Sequence, residues 1–181
     1  ASSMLIDDEL VLFGPAGPSC AYYYYTKQKR RLIVGSGRMY DYVSSSGQPW
    51  ADYREEILTI IVTDSIASIG DYSFCGCINA GTISISSATE LTSLGNATFK
   101  NCSAISQFSM PNKITIVGRA CFYGCSSLTS VKLSSALKTI ERHAFKNCNL
   151  LTLAFPNKLK TVKDYAFASN KHLAHVEFGK S

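Results

Sequence analysis

The sequence predicts an α/β-type, strand-rich repeat solenoid, and two patterns carry that prediction. In the first, a phenylalanine is preceded five residues earlier by an aliphatic residue and followed three residues later by cysteine or asparagine. The phenylalanines are Phe74, Phe99, Phe122, Phe145 and Phe167, spaced 25, 23, 23 and 22 residues apart. A fixed period in the low twenties is typical of solenoids, in which each coil packs only against its neighbours.

The second pattern is an apolar run that follows each cysteine and alternates with polar residues. Such alternation indicates a strand with one buried face. Five runs follow the cysteine or asparagine, and an incomplete unit, Ile57/Ile60/Val62, precedes them. The five are Ala80/Ile83/Ile85, Ile105/Phe108/Met110, Leu128/Val131/Leu133, Leu150/Leu153/Phe155 and Leu173/Val176/Phe178. The 25-residue unit has two extra residues within 86–90, and the fourth unit's run begins one residue early.

Stacked coils would align these runs as parallel strands about 4.8 Å apart. The phenylalanines would then form an internal aromatic ladder. We expect a second, shorter extended or 3₁₀ segment around residues 69–74 and their equivalents, on the opposite side of each coil.

The unit I-G-x-x-x-F-x-x-C-x-x-L-x-x-V-x-L resembles the BspA-type leucine-rich repeat. Its best copies are SIGDYSFCGC (68–77) and IVGRACFYGCSSLTSVKL (116–133). The resemblance implies a leucine-rich-repeat right-handed superhelix, with a parallel β-sheet on one face and an N-terminal β cap. Glu141 and Lys163 in place of glycine, and Asn170 in place of cysteine, depart from the pattern, and we expect them to weaken individual repeats.

The segment before the repeats predicts a cap. GSGRMYDY (35–42) and PWADYREEI (49–57) are similar to the segment that precedes such repeats, so we divide the chain into a capping segment, 1–56, and a solenoid of about five repeats, 57–181. Turn residues separate predicted strands at 10–13, 21–25, 32–34 and 38–42. Trp50, the only tryptophan, should pack where the cap meets the first coil.

Two other features of the cap have a structural and a functional interpretation. Among Tyr22–Tyr25, two tyrosines packing inward and two lying on the surface is favoured over a stacking platform for sugars or bases. The basic run at 27–31 is favoured as a solvated turn over a nuclear-localisation patch.

The cysteines predict structural thiols. Cys77, Cys102, Cys125 and Cys148 share one repeat position, and parallel side chains on successive coils are poorly directed for disulfides. Asn170 at the fifth coil suggests that this position holds a small group that meets backbone donors inside the turn. No histidine stands at zinc-ligand spacing from the cysteines, so free, buried thiols are favoured over metal ligands.

Enzymatic motifs are missing from the sequence. His143, His172 and His175 are the only histidines, and neither a G-x-S-x-G motif nor a phosphate-binding loop is present. We therefore predict no enzyme, no catalytic residue, no cofactor and no metal site. No run approaches the roughly 18 apolar residues that a membrane span requires.

The repeat register predicts a candidate binding strip between the buried positions of the strands. The strip is mostly small, hydroxyl-bearing and weakly charged, which suits a protein or glycan partner, although threonine and serine also simply suit exposed strand positions. Its residues are Thr59, Ile61, Thr82, Ser84, Gln107, Ser109, Ser130, Lys132, Thr152, His175 and Glu177.

Charge is distributed unevenly along the chain. Residues 1–111 carry seven basic and ten acidic side chains, and residues 112–181 carry eleven and three, so the net charges of −3 and +8 sum to +5. Several cations recur in register and predict a basic stripe that favours an anionic glycan, an acidic protein or, less so, nucleic acid. The stripe comprises Lys113, Lys138, Arg142, Lys158, Lys160 and Lys163.

By resemblance, the expected function is a non-enzymatic adhesin-type protein, at the cell surface or secreted, that contacts host cells or matrix. The alternative is a cytoplasmic scaffold or regulatory subunit. Asp7, Asp8 and Glu9 favour it if Met4 begins the natural chain, because a secretory signal has a basic region there. The last run ends at 179–181 with no polar cap, so we expect either a longer natural chain or a second copy that covers this edge.

Overall fold

The structure, a computed structural model, describes residues 2–6, 9–27 and 29–179. They form a strand-rich parallel β-solenoid of about five turns, preceded by an antiparallel meander. The only helical segment among them is the 3₁₀-helix Ala51–Tyr53, so the α-helical part of the predicted class has no counterpart there. The handedness of the superhelix stays a prediction.

Each coil contributes one strand to each of two parallel rows. The strand row contains β6 (Thr59–Val62), β8 (Thr82–Ser84), β10 (Gln107–Ser109), β12 (Ser130–Lys132), β14 (Thr152–Phe155) and β16 (His175–Phe178). The second sheet contains β5 (Gly37–Arg38), β7 (Ile66–Ile69), β9 (Ser93–Leu94), β11 (Ile116–Val117), β13 (Thr139–Ile140) and β15 (Thr161–Val162). The second sheet is the shorter extended segment that the sequence predicts before each phenylalanine.

The strand row is interrupted where the repeat length departs from 23. Strands that begin 23 residues apart pair in parallel: β6 with β8, β10 with β12, and β14 with β16. No ladder joins β8 to β10, which begin 25 residues apart at Thr82 and Gln107, or β12 to β14, which begin 22 apart at Ser130 and Thr152. The second sheet stays paired throughout, so the strand row alone absorbs the irregular repeats.

The third side of each coil, which we call the turn face, is a turn around the phenylalanine (residues 71–77, 96–102, 119–125, 142–148 and 164–170). A left-handed residue lies two positions before and two after each phenylalanine, as at Tyr72 (φ 59°) and Gly76 (φ 81°) in the first coil. Such turns direct N–H groups to one side. The N–H of Phe74 therefore donates to the Thr98 carbonyl of the next coil at 2.8 Å, and Phe99, Phe122 and Phe145 repeat this bond at 2.7–2.8 Å.

The predicted phenylalanine ladder is confirmed. Successive ring centroids lie 5.6, 5.3, 4.9 and 5.2 Å apart, with interplanar angles of 21° or less. Four of the rings are fully buried, whereas Phe167 is half-buried because no further coil covers it among the described residues. Stacked rings at this distance add about 0.5–1.5 kcal/mol per pair beyond the area that they bury.

The cysteine position is a hydrogen-bonding rung between coils. The Sγ of Cys102 donates to the Phe74 carbonyl of the preceding coil at 3.3 Å, and Cys125 and Cys148 do the same to Phe99 and Phe122. Asn170 keeps this bond to Phe145 through Nδ2 at 2.9 Å, and its Oδ1 accepts the Leu150 N–H. The sequence predicts a small group that meets backbone donors at this position. In the structure the cysteine thiols instead donate to backbone carbonyls, and only the Asn170 side chain also accepts a backbone N–H.

The meander consists of β1 (Ser2–Ile6), β2 (Glu9–Pro15), β3 (Ala21–Tyr25) and β4 (Arg31–Gly35), each antiparallel to the next. Three of these strands were predicted and β1 was not, while the predicted strand at 38–42 is reduced to β5. Tyr22 and Tyr24 are buried, Tyr23 is exposed and Tyr25 half-buried, which confirms the structural interpretation of the four tyrosines. Gln28, in the basic run, lies outside the described residues.

The segment before residue 57 supplies a surrogate first layer for all three sides of the solenoid. Strand β4 pairs in parallel with β6, and β5 with β7. On the turn face, the Trp50 ring lies 5.8 Å from Phe74 and its Nε1–H donates to the Ser73 carbonyl at 2.9 Å. Trp50 thus packs where predicted. It takes the place that a phenylalanine holds in the other coils, since it supplies both a ring beside Phe74 and an N–H donor to the next coil. The boundary between residues 56 and 57 stays a prediction.

The last coil has no such cover among the described residues. Phe178 is 77% exposed and Val162 45% exposed. The N–H groups of Tyr165, Phe167 and Ser169 find no backbone acceptor in this part of the chain. Lys180 and Ser181, in the predicted open end, lie outside the described residues.

Candidate binding surfaces

The candidate binding strip lies on the strand row as the register predicts. Thr59, Ile61 and Ser84 are half-buried. The exposed members are Thr82, Gln107, Ser109, Ser130, Lys132, Thr152, His175 and Glu177. His175 and Glu177, at the open end, lie 3.1 Å from each other. Whether the strip binds anything stays a prediction.

A groove of about 510 Å³ crosses the middle of this strip, and the sequence did not predict it. It lies over β8, β10 and β12, where the ladder between β8 and β10 is missing. Its rim carries Ser84, Gln107, Ser109, Ser130 and Lys132 from the strip, and its apolar lining comes from Ile83, Ile85, Phe108 and Val131. The sequence feature that could have indicated this groove is the 25-residue unit, whose two extra residues precede β9.

The basic stripe does not act as one group of free cations. Lys113 lies 3.5 Å from Glu90, and Lys163 lies 2.9 Å from Glu141. Glu141 and Lys163 replace the repeat's glycine on neighbouring coils, so the departure from the pattern introduces an ion pair between those coils.

The remaining stripe residues fall into two places. Lys138 and Lys160 are exposed neighbours, since the Lys160 N–H donates to the Lys138 carbonyl at 2.9 Å. Lys158 is exposed on the same coil as Lys160. Arg142 lies on the turn face instead. The anion-binding role of the stripe stays a prediction.

A second groove, of about 460 Å³, lies on the second sheet over Gly70, Gly95 and Gly118. A Cβ at Gly70 would stand 2.0 Å from the Tyr40 carbonyl oxygen, so glycine here allows the coils to approach closely. At its side, the Oδ1 atoms of Asp41, Asp71 and Asn96 each accept an N–H from the next coil at 2.7–2.8 Å. These polar groups hold neighbouring coils together.

The seven cysteines are buried thiols, as predicted. Burial raises the pKa of the Cys20 thiol to about 11 and that of Cys77 to about 12, so both are protonated at neutral pH. A protonated thiol is a poor nucleophile and a poor metal ligand. Among the described residues, no three of His, Cys, Asp and Glu are grouped so that they could hold a metal ion.

Comparisons with known proteins place the chain beside leucine-rich repeat proteins. A family model for the BspA type leucine rich repeat region matches residues 52–174 in six copies. A search of curated proteins finds no match to the chain. Within the described residues, no helix is both long and apolar enough to cross a membrane.

Solved structures share the fold at low sequence identity. A leucine rich repeat protein of T. pallidum has a TM-score of 0.67 at 20% identity, over 87% of this chain and 82% of that one. A leucine rich cell surface protein of Faecalibacterium prausnitzii has a TM-score of 0.57 at 14% identity, over 98% of this chain and 55% of that one. The pneumococcal vaccine antigen PcpA has a TM-score of 0.54 at 18% identity, over 98% of this chain and 48% of that one. The chain therefore spans about half the length of the last two proteins.

Proposed function

The chain belongs to the BspA-type leucine-rich repeat family, and from that premise we propose that it is a non-enzymatic binding protein, at the cell surface or secreted, whose strand row receives a protein or glycan partner. The family is one of surface proteins that serve in protein interaction or adhesion. The observation that carries the proposal is the groove between β8 and β10.

The groove offers backbone groups as well as side chains. Strand β8 is hydrogen-bonded on one side, to β6, and β10 on one side, to β12, so each presents an unpaired edge to the groove. Unpaired strand edges are sites where an extended segment or another polar partner can pair. The serine hydroxyls and the Gln107 amide on the rim add donors and acceptors, while the half-buried Val131 adds apolar surface.

The short side chains on the rim allow a partner to approach the strands closely. Ser84 and Ser109 hold one repeat position on successive coils, and Ser130 stands two residues before that position on the next coil. Among the described residues, Lys132 is the only charged residue that lines the groove. A surface of this kind binds through several modest hydrogen bonds around a small apolar centre, as polar protein interfaces do.

The experiment that tests the groove compares two doubly substituted proteins on an array of extracellular-matrix proteins and glycans. Ser109→Arg/Ser130→Arg fills the groove, and Ser127→Arg/Ser135→Arg adds the same charge at exposed sites outside it. We expect the first variant to lose the ligands that the unsubstituted protein binds and the control to keep them. Equal binding by both variants would remove the groove from the proposal.

The cell-surface location is supported by two structural neighbours, the leucine rich cell surface protein of F. prausnitzii and the pneumococcal vaccine antigen. Host adhesion is the more specific form of this proposal. Antibody labelling of intact and permeabilised cells separates it from the alternative, an intracellular scaffold. Labelling only after permeabilisation would contradict the surface location and leave the binding groove to be tested with cytoplasmic partners.

A second candidate partner is an anionic glycan on the basic stripe, favoured by the adjacency of Lys138 and Lys160. Retention on a heparin column should fall in Lys138→Glu/Lys160→Glu. The control is Arg31→Glu/Arg38→Glu, which changes the net charge equally at exposed sites of the cap, outside the stripe and the turn face. If both variants elute together, net charge rather than the stripe governs retention.

A homodimer through the last coil is the remaining proposal on partners, and it rests on the exposed Phe178. The edge strands β15 and β16 could pair with those of a second copy, but the turn face there presents only N–H groups, which two copies cannot satisfy for one another. Light scattering on the unsubstituted protein and on Phe178→Glu tests it. A monomer in both cases would contradict the dimer.

A further inference from the structure

A group of cations and aromatic rings lies on the turn face of coils 2 to 5 (the coils of Phe99, Phe122, Phe145 and Phe167), outside both the strand row and the lysine pair of the second sheet. Its cations recur on successive coils, and its rings lie between them. The group consists of Lys100, Arg119, Tyr123, Arg142, His143, Lys146 and Tyr165.

The lysines of this group are held in place without being neutralised. The Nζ of Lys100 lies 5.3 Å from the centroid of the Tyr123 ring, and the Nζ of Lys146 lies 5.6 Å from that of Tyr165. A cation over an aromatic face is attracted by the ring quadrupole and keeps its full charge. Both lysines are half-buried, so less conformational freedom remains to be lost when an anion binds.

The arginines stand at one repeat position on adjacent coils. Arg119 and Arg142 both lie three residues before a phenylalanine, and the backbones of their coils are joined by the bond from the Ala120 N–H to the Arg142 carbonyl at 3.0 Å. Both side chains are exposed. Among the described residues, neither arginine, nor Lys100 or Lys146, lies within ion-pair distance of a carboxylate. Like charges on neighbouring coils repel each other, and a bound anion relieves that repulsion.

His143 lies within this group, and its pKa responds to the electrostatic potential of the neighbouring cations. Its ring lies 5.5 Å from that of Tyr165. Desolvation lowers the pKa of His143 below its ordinary value, and the positive charges of Lys146, Arg142 and Arg119 lower it further. The carboxylate of Asp164 acts in the opposite direction. A polyanion held by the same cations would offset their effect and raise the pKa of His143.

We propose that the turn face of coils 2 to 5 binds a sulfated glycan chain running along the solenoid, with Lys100, Arg119, Arg142 and Lys146 as its cationic contacts. Cations that recur along the coils match a linear polymer with regularly spaced anionic groups. Nucleic acid fits less well, because the rings of Tyr123 and Tyr165 are covered by lysines and do not offer the free faces on which bases stack. The proposal does not depend on the partner of the strand row.

Titration calorimetry with a heparin decasaccharide tests the site at 150 mM NaCl. Arg119→Gln/Arg142→Gln should weaken binding by about tenfold, since two exposed cationic contacts are lost. Arg31→Gln/Arg38→Gln removes the same charge from exposed sites of the cap, outside both the turn face and the basic stripe, and should change the affinity by less than about twofold. Equal losses in the two variants, or a larger loss in the second, would overturn the assignment to the turn face.

The imidazole of His143 gives a second readout, measured by NMR. Saturating heparin should raise the pKa of His143 in the unsubstituted protein, and binding should therefore tighten as the pH falls through that pKa. This gain in affinity at lower pH should be absent in His143→Gln. An unchanged pKa of His143 at saturation would overturn the site. Tighter binding of a single-stranded DNA of equal charge than of heparin would overturn the choice of a glycan.

Discussion

The strand row and the turn face are built from the same repeats, yet they respond differently to irregular repeat length. The turn-face bonds from Phe74, Phe99, Phe122 and Phe145 persist across the 25- and 22-residue units at 2.7–2.8 Å. The strand row loses its ladder at those two places. The phenylalanine, its N–H and the cysteine therefore fix the stacking of the coils, while the strand row varies.

This difference explains why a groove can form in a solenoid without unfolding it. The residues that hold the coils together lie around the phenylalanine and in the second sheet, where backbone bonds and buried rings are continuous. The strand row contributes burial through its inward residues, and its outward residues carry little of the stability. Substitutions on the two sides should consequently separate stability from binding.

Phe122→Ala should have the largest effect on the free energy of unfolding. The ring is fully buried between Phe99 and Phe145, so its removal should lower that free energy by about 3–5 kcal/mol. Urea denaturation measures the change. Ser109→Ala, on the exposed strand row, is the matched comparison and should change it by less than about 0.5 kcal/mol; comparable losses would abolish the distinction between the two sides.

Trp50→Phe tests whether the cap continues the turn-face ladder. Phenylalanine retains a ring beside Phe74 but removes the donor to the buried Ser73 carbonyl, so we expect a loss of about 1–3 kcal/mol. Urea denaturation again measures it. If Trp50→Phe is as stable as the natural protein, the indole N–H does not complete the ladder.

Cys125→Ala should remove about 1 kcal/mol, the net value of its bond to the Phe99 carbonyl with a small change in packing. Cys121→Ala is the control, because alanine already holds the equivalent position in the next two coils as Ala144 and Ala166. Equal losses from the two changes, measured by thermal unfolding, would show that the cysteine position acts by packing alone.

Most of the stacking could be predicted from the sequence because its signal is periodic. The inward aliphatic residues, the phenylalanine ladder and the location of Trp50 all follow from spacing and burial. The left-handed residues could not be predicted, since Ala97 (φ 53°) and Ala120 (φ 53°) have side chains that rarely adopt this conformation. Their conformation is imposed by bonds to the following coil.

The site was harder to predict for a different reason. The outward positions of the strand row follow from the register, but the groove depends on how a two-residue insertion is absorbed, which is a property of three neighbouring coils. The spacing of the cations did not indicate that two members of the basic stripe, Lys113 and Lys163, form ion pairs across coils with Glu90 and Glu141. The exposed Phe178 agrees with the open edge expected after the last run, since no following coil covers it among the described residues.

Lys163→Met should have the smallest effect. The Lys163–Glu141 pair is partly exposed, and such pairs contribute about 0–1 kcal/mol. We expect a loss below about 0.5 kcal/mol that disappears at 1 M NaCl in thermal unfolding. A larger, salt-independent loss would mean that the pair has become part of the packing between these coils.

The interruption at β8 and β10 can be reversed with the chain's own sequence. The corner after β8 reads Ile85-Ser86-Ser87-Ala88-Thr89-Glu90-Leu91, and the corresponding corner after β12 reads Leu133-Ser134-Ser135-Ala136-Leu137. Deletion of Thr89 and Glu90 therefore gives a 23-residue unit. Its corner differs from the corner after β12 only in having isoleucine rather than leucine at the first position. Glu90→Gln controls for the loss of the ion pair with Lys113.

Amide hydrogen exchange on the natural and deleted chains tests the division between the two sides most directly. The amides of Phe74, Phe99, Phe122 and Phe145 should exchange slowly in both chains. The amides of Gln107 and Ser109, which alternate with those that face β12, should exchange quickly in the natural chain and slowly after the deletion. Exchange of Gln107 and Ser109 as slow in the natural chain as that of Phe99 would contradict an open strand row and the groove that depends on it.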